Sequence, residues 1–107
     1  MGKMSRNKGA RGEREFAKFL TEYGFDAHRG RQYSGGTDSP DVKCIPLDDF
    51  YHFEVKRTET LSLYKAMEQA IDDCGTKIPI VAHRRNKREW LCIVKAADLL
   101  ELIKKGL

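Results

Sequence analysis

Phe50-Tyr51-His52-Phe53-Glu54-Val55-Lys56 (FYHFEVK, residues 50–56) is the stretch on which the fold turns. Aromatic and β-branched residues favour a pleated strand, and on a strand residues two apart share a face. Phe53 and Val55 therefore enter an apolar layer, while His52, Glu54 and Lys56 project together from the other side. Working outward, Pro46 to Asp49 reads as a turn and Val42 to Ile45 as an earlier strand, which predicts a hairpin with Phe50 to Lys56. That hairpin would set Asp41, next to Pro40, alongside Glu54 and Lys56.

Upstream, a helix is predicted from Gly12, with Phe16, Ala17, Phe19, Leu20 and Tyr23 at helical spacing and Gly24 as its stop. Glu13 precedes Phe16 by one turn and falls on the same inward stripe, whereas Glu15, Lys18 and Glu22 fall on the outward face. A carboxylate at a helix start also stabilises the helix dipole, so position alone leaves two readings of Glu13 open. Residues 1–11 read as a flexible basic arm and 12–107 as one domain. Phe25 to His28 reads as a short strand, followed by a Gly- and Ser-rich loop, Gly30 to Ser39, able to close over a substrate.

Downstream, Leu61 to Cys74 is a predicted helix with Leu63, Tyr64, Met67, Ala70, Ile71 and Cys74 on its apolar side. Ile78 to His83 and Trp90 to Val94 follow as strands around a basic hairpin tip, and Ala96 to Lys105 closes the chain as a helix with Leu99, Leu100 and Ile103 inward. The order αβββαββα implies an α/β protein, a mixed five-stranded sheet flanked by helices. No Gly-rich dinucleotide fingerprint supports a doubly wound parallel sheet.

The chain has 107 residues, 40% hydrophobic and 34% charged, with 20 Lys and Arg against 16 Asp and Glu. The excess gathers in Lys3, Arg6, Lys8, Arg11 and Arg14 and again in Arg84, Arg85, Lys87 and Arg88, which points to a polyanionic partner. Three widely spaced cysteines, Cys44, Cys74 and Cys92, suit neither a disulfide framework nor a zinc module, and His28, His52 and His83 add no closely spaced pair. No apolar run approaches a membrane span and no secretion signal opens the chain, so a cytoplasmic location is expected.

Phosphodiester hydrolysis needs a nucleophilic water, neutralised phosphoryl oxygens and help for the leaving group, which carboxylate-held Mg²⁺ and a nearby ammonium can supply. Glu-x-Lys by itself is common, and Pro-Asp is most often a turn. The combination is specific. Lys8-Gly9-Ala10-Arg11-Gly12-Glu13-Arg14-Glu15, then Pro40-Asp41, then Glu54-Val55-Lys56, resembles the PD-(D/E)xK nuclease superfamily, and within it the archaeal-type Holliday-junction resolvases, over residues 8 to about 95.

The resemblance implies a restriction-endonuclease-like core in which Glu13, Asp41, Glu54 and the Val55 carbonyl hold Mg²⁺, with Mn²⁺ as a substitute. It makes Lys56 the catalytic lysine beside Glu13, Asp41 and Glu54, with Asp38 a substitute for Asp41 because the preceding loop is long. DNA contacts are expected from Lys8, Arg11, Arg14, Arg29, Arg31, Ser34, Arg84, Arg85, Lys87 and Arg88, and Gln69 is a secondary candidate near the metal. The implied activity is cleavage of four-way junctions by a homodimer. Two other readings stay open: a nuclease acting on duplexes or flaps, and a DNA-binding module without catalysis. An RNA-binding domain fits the charge but not three inward carboxylates.

Overall fold

The computed structural model describes residues 2–30 and 41–106, with side chains described from residue 9 onward. Its elements are α1 (Gly2–Glu22), β1 (Asp26–Arg29), β2 (Val42–Ile45), a 3-10 turn (Leu47–Asp49), β3 (Tyr51–Arg57), α2 (Leu63–Asp73), β4 (Ile78–Arg84), β5 (Leu91–Ile93) and α3 (Ala96–Gly106). This is the predicted order. The first helix, however, begins at Gly2 rather than Gly12, so the expected arm continues the helix. Met, Lys, Arg and Ala are good helix formers and extend a helix that tertiary packing has nucleated. The loop expected to cover a substrate, with Arg31, Ser34 and Asp38, lies outside the described residues.

The strands form two sheets, not a single five-stranded one. In one, β1 and β2 run antiparallel with Asp26 opposite Ile45 and Arg29 opposite Val42. In the other, β3 and β4 run parallel from Tyr51 opposite Ile78 to Arg57 opposite Arg84, and β5 returns antiparallel to β4. The expected β2–β3 hairpin ladder is therefore absent. The 3-10 turn commits the Cys44 N–H to Asp48 Oδ1 at 2.8 Å, which removes a donor any such ladder would need. β3 instead pairs with β4 through the α2 crossover, the connection that parallel strands require.

Alternation along β3 and β4 separates two cores. Phe53, Val55, Ile80 and Ala82 pack beneath Phe16, Ala17 and Leu20 of α1 together with Val42 and Cys44 of β2. Phe16 is the centre of this layer, with its ring 5.4 Å from Phe53 and 4.9 Å from Trp90. Val81 faces the other way, against Ala66, Met67 and Ala70 of α2. The polar face of β3, with His52, Glu54 and Lys56, is consequently the α2 side.

Several apolar positions expected inward are exposed: Tyr23 just past α1, Leu63, Tyr64 and Ile71 on α2, and Leu99, Leu100 and Ile103 on α3. Among the described residues, no further layer covers these outward positions. No helix among the described residues is long and apolar enough to cross a membrane.

Gly12 is where α1 meets β3 most closely, since a Cβ there would sit 2.5 Å from Arg57 Cβ. Gly12→Ala gains up to about 1 kcal/mol of helix propensity. Overpacking against an atom fixed to the strand backbone costs roughly 1–3 kcal/mol, and the clash is expected to win. Urea unfolding should show a net loss of stability; a gain would mean that α1 is free to move away.

Candidate functional site

Backbone groups of successive strand residues point to opposite edges, so those of residues two apart share an edge. The Phe50 carbonyl accepts from the Ile78 N–H at 2.9 Å on the β4 side, so Phe53 and Val55 present their groups to the other edge. Asp41 occupies that edge. Its N–H donates to the Phe53 carbonyl at 3.3 Å, and its carbonyl accepts from the Gly30 N–H at 2.9 Å. Its Oδ2 accepts from the Val55 N–H at 2.7 Å, a short, charge-assisted bond. Asp41 thus joins the two sheets and is held against the segment Phe53 to Val55 without the predicted hairpin.

Glu54, only 4% exposed, projects from β3 toward α2. Its two oxygens face different neighbours: Oε2 lies 3.7 Å from Lys56 Nζ and Oε1 lies 3.7 Å from His52 Nε2. Lys56 is oriented from the helix, because its Nζ donates to Gln69 Oε1 at 2.8 Å. Gln69 has an exposed side chain that nonetheless reaches the predicted catalytic lysine, a contact that the helix periodicity of α2 did not reveal.

Glu13 is turned inward as its spacing required and is 8% exposed. Its Oε1 accepts from Arg29 Nε at 2.7 Å, so this arginine, expected on DNA, also neutralises a buried carboxylate. Glu15, expected outward, instead bridges α1 to β3 and β4, with Oε1 accepting from Arg57 Nε at 3.0 Å and Arg84 Nη1 at 3.1 Å. Arg84 therefore belongs to a structural network as well as to the basic tip. Glu13, Asp41 and Glu54 do not make a tight trio. The group of three donors lying within 4.8 Å of one another, among the described residues, is His52, Glu54 and Asp73.

Arg11, Arg14, Arg85, Lys87 and Arg88 are exposed, and the last three form the turn between β4 and β5, where Lys87 has φ 59°. Arg31 and Ser34, and the side chain of Lys8, lie outside the described residues. The three cysteines are free. Burial, then the carboxylates of Asp48 and Asp26, push the Cys44 thiol above its ordinary value, in keeping with a core residue.

The family model for the archaeal Holliday junction resolvase, Hjc, matches residues 4–101. Among solved structures, the chain is similar to Archaeoglobus fulgidus Hjc, a Holliday junction resolvase from an archaeal hyperthermophile. The TM-score is 0.57 at 23% identity, covering 81% of this chain and 72% of that one. No curated protein matches.

Proposed function

The chain belongs to the archaeal Holliday junction resolvase family, a family of junction-resolving nucleases, and from that premise we propose that Asp41, Glu54 and Lys56 form a cation-dependent catalytic group that cuts four-way DNA junctions. The supporting observation is the Asp41 Oδ2 bond to the Val55 N–H at 2.7 Å, which pins one carboxylate to the residue between the other two members.

Asp41 and Glu54 fit a hard divalent cation such as Mg²⁺, with Mn²⁺ as a substitute. Both carboxylates are buried, at 7% and 4% exposure, and the Lys56 Nζ and His52 Nε2 that flank Glu54 stand at 3.7 Å, beyond hydrogen-bond distance. A buried carboxylate so loosely paired is stabilised by a further positive charge. The Val55 carbonyl shares the Asp41 edge, because its N–H does. When bound, the cation supplies positive charge at the scissile phosphate and acidifies a nearby water.

The remaining work falls to the chain. The Lys56 ammonium, steadied by Gln69, orients the attacking water and offsets charge growing on the phosphoryl oxygens. Glu13, tied to Arg29, stands outside the tight group and acts on it through water. Arg11, Arg14, Arg85, Lys87 and Arg88, with Lys8, Arg29, Arg31, Ser34 and Arg84, contact the phosphate backbone.

A two-fold junction presents two symmetric cutting positions, so the working unit is a homodimer with two centres. The exposed Leu99, Leu100 and Ile103 of α3, with Leu91 of β5, supply apolar surface for a second copy. The test is cleavage of a synthetic four-way junction at low salt, with Mg²⁺ and with EDTA, beside flap and linear duplexes. Mg²⁺-dependent paired nicks leaving 5′-phosphates are expected, from a particle of twice the chain mass in sedimentation equilibrium. Absence of junction nicks would remove the reading; equal cutting of linear DNA would favour a general duplex nuclease, and binding without cutting a DNA-binding module.

A further inference from the structure

We propose that His52, Glu54 and Asp73 form a second divalent-cation site, of a kind that takes Zn²⁺ or Mn²⁺, and that it shares Glu54 with the nuclease centre. α2 lies along the polar face of β3, where Gln69 meets Lys56 at 2.8 Å. Residues four apart stack on one side of a helix. Asp73, one turn beyond Gln69, therefore arrives over His52 and Glu54, and the three ligand atoms lie within 4.8 Å of one another. Donors placed tetrahedrally about 2.1 Å from Zn²⁺ are about 3.4 Å apart. The His52 Nε2 to Glu54 Oε1 distance of 3.7 Å is already close to this, and Asp73 at the helix end has only to swing inward.

Three features point to a ligand. His52 is 3% exposed, and its Nε2 has no hydrogen-bond partner among the described residues, although it is aimed at Glu54. A buried polar atom without a partner is unfavourable and uncommon. Glu54 is buried beside it, with the Lys56 ammonium no closer than 3.7 Å. Asp73 is the last residue of α2, follows Asp72, and has no basic residue in that turn, so it opposes the negative helix end. A single cation resolves all three. One imidazole with two carboxylates suits Zn²⁺ or Mn²⁺, whereas Mg²⁺ favours oxygen alone.

The site itself rests on side-chain geometry, whatever the chain does to DNA; its effect on cleavage rests on the nuclease reading. Because Glu54 serves both centres, Zn²⁺ bound here draws that carboxylate from the catalytic group and inhibits Mg²⁺-dependent cutting.

The test is Zn²⁺ titration by calorimetry at saturating Mg²⁺, in a Cys74→Ala, Cys92→Ser background so that these two thiols do not compete. Thermal melts with Zn²⁺ and with EDTA accompany it. One Zn²⁺ per chain is expected, weakened at least about tenfold by His52→Gln and by Asp73→Asn. Loss of one ligand or its supporting group typically costs that much. In EDTA, Asp73→Asn should melt at or above the unsubstituted protein, since it removes a charge the helix end disfavours; with Zn²⁺ the order should reverse. If His52→Gln fails to fold, Asp73→Asn at the edge of the site decides alone. No bound Zn²⁺, unchanged affinity in Asp73→Asn, or a lower melting point for Asp73→Asn already in EDTA would each overturn the site. Junction cutting by Mg²⁺ alone is a separate readout that none of these results alters.

Discussion

Asp41→Asn is expected to lower junction cleavage at least about a hundredfold while leaving the fold intact, and Asp41→Ala to lose the same activity and part of the stability. Asn keeps an oxygen where the Val55 N–H donates at 2.7 Å, so the join between the sheets survives and only the negative charge is removed. If that charge contributes about 3 kcal/mol to holding the cation at the scissile phosphate, its loss corresponds to roughly two powers of ten in rate. Alanine also leaves the buried Val55 N–H without its acceptor, which adds about 1–3 kcal/mol of destabilisation. Single-turnover cleavage and urea unfolding of the two variants separate the effects. Asn cutting at the parental rate would take Asp41 out of the centre, and equal stability of Asn and Ala would mean that the Val55 bond is not what joins the sheets.

Lys56→Met should be as damaging to the rate, about 10²–10³-fold, with junction affinity nearly unchanged. The loss matches removal of one preorganised charge-stabilising donor. Met keeps the length and apolar stem of the side chain, so the packing of β3 against α2 is preserved. Gln69→Leu is a milder test of the same group: Gln69 acts through Lys56, whose Nζ it accepts from at 2.8 Å. Its replacement should reduce cleavage about 10–100-fold, the scale of a group supporting a reacting one. Lys56→Arg should not rescue, because a planar guanidinium cannot place a single donor where the ammonium stands. A Lys56→Met protein that cuts junctions at the parental rate would rule out this lysine as the catalytic one.

Much of the architecture is legible along the chain because it is written in local periodicity. The alternation of residues 50–56 locates β3 and assigns its faces, and the spacing of Glu13 from Phe16 and Leu20 turns that carboxylate inward, where it is found. Pairing is less legible. A short turn between two strands favours a hairpin, but the Asp48 carboxylate takes the Cys44 N–H and β3 finds its partner beyond α2. The apolar stripes of α2 and α3 are only partly covered by the other described elements, so periodicity overstates their burial. Glu15 shows the same limit for charge: helical phase sets it outward, yet Arg57 and Arg84 reach it from two strands.

What sequence alone determined is the identity and order of the elements and the chemistry on the polar face of β3, since both follow from residue type and spacing within a few turns of chain. What only the tertiary structure decided is which distant groups share that face. Asp41 reaches β3 through a side-chain bond rather than a ladder, Gln69 steadies Lys56 from across the crossover, and Asp73 comes to rest over His52 and Glu54. Side-chain reach across packed elements depends on how α2 is docked, and docking is a sum over many weak contacts that no local pattern of residues specifies.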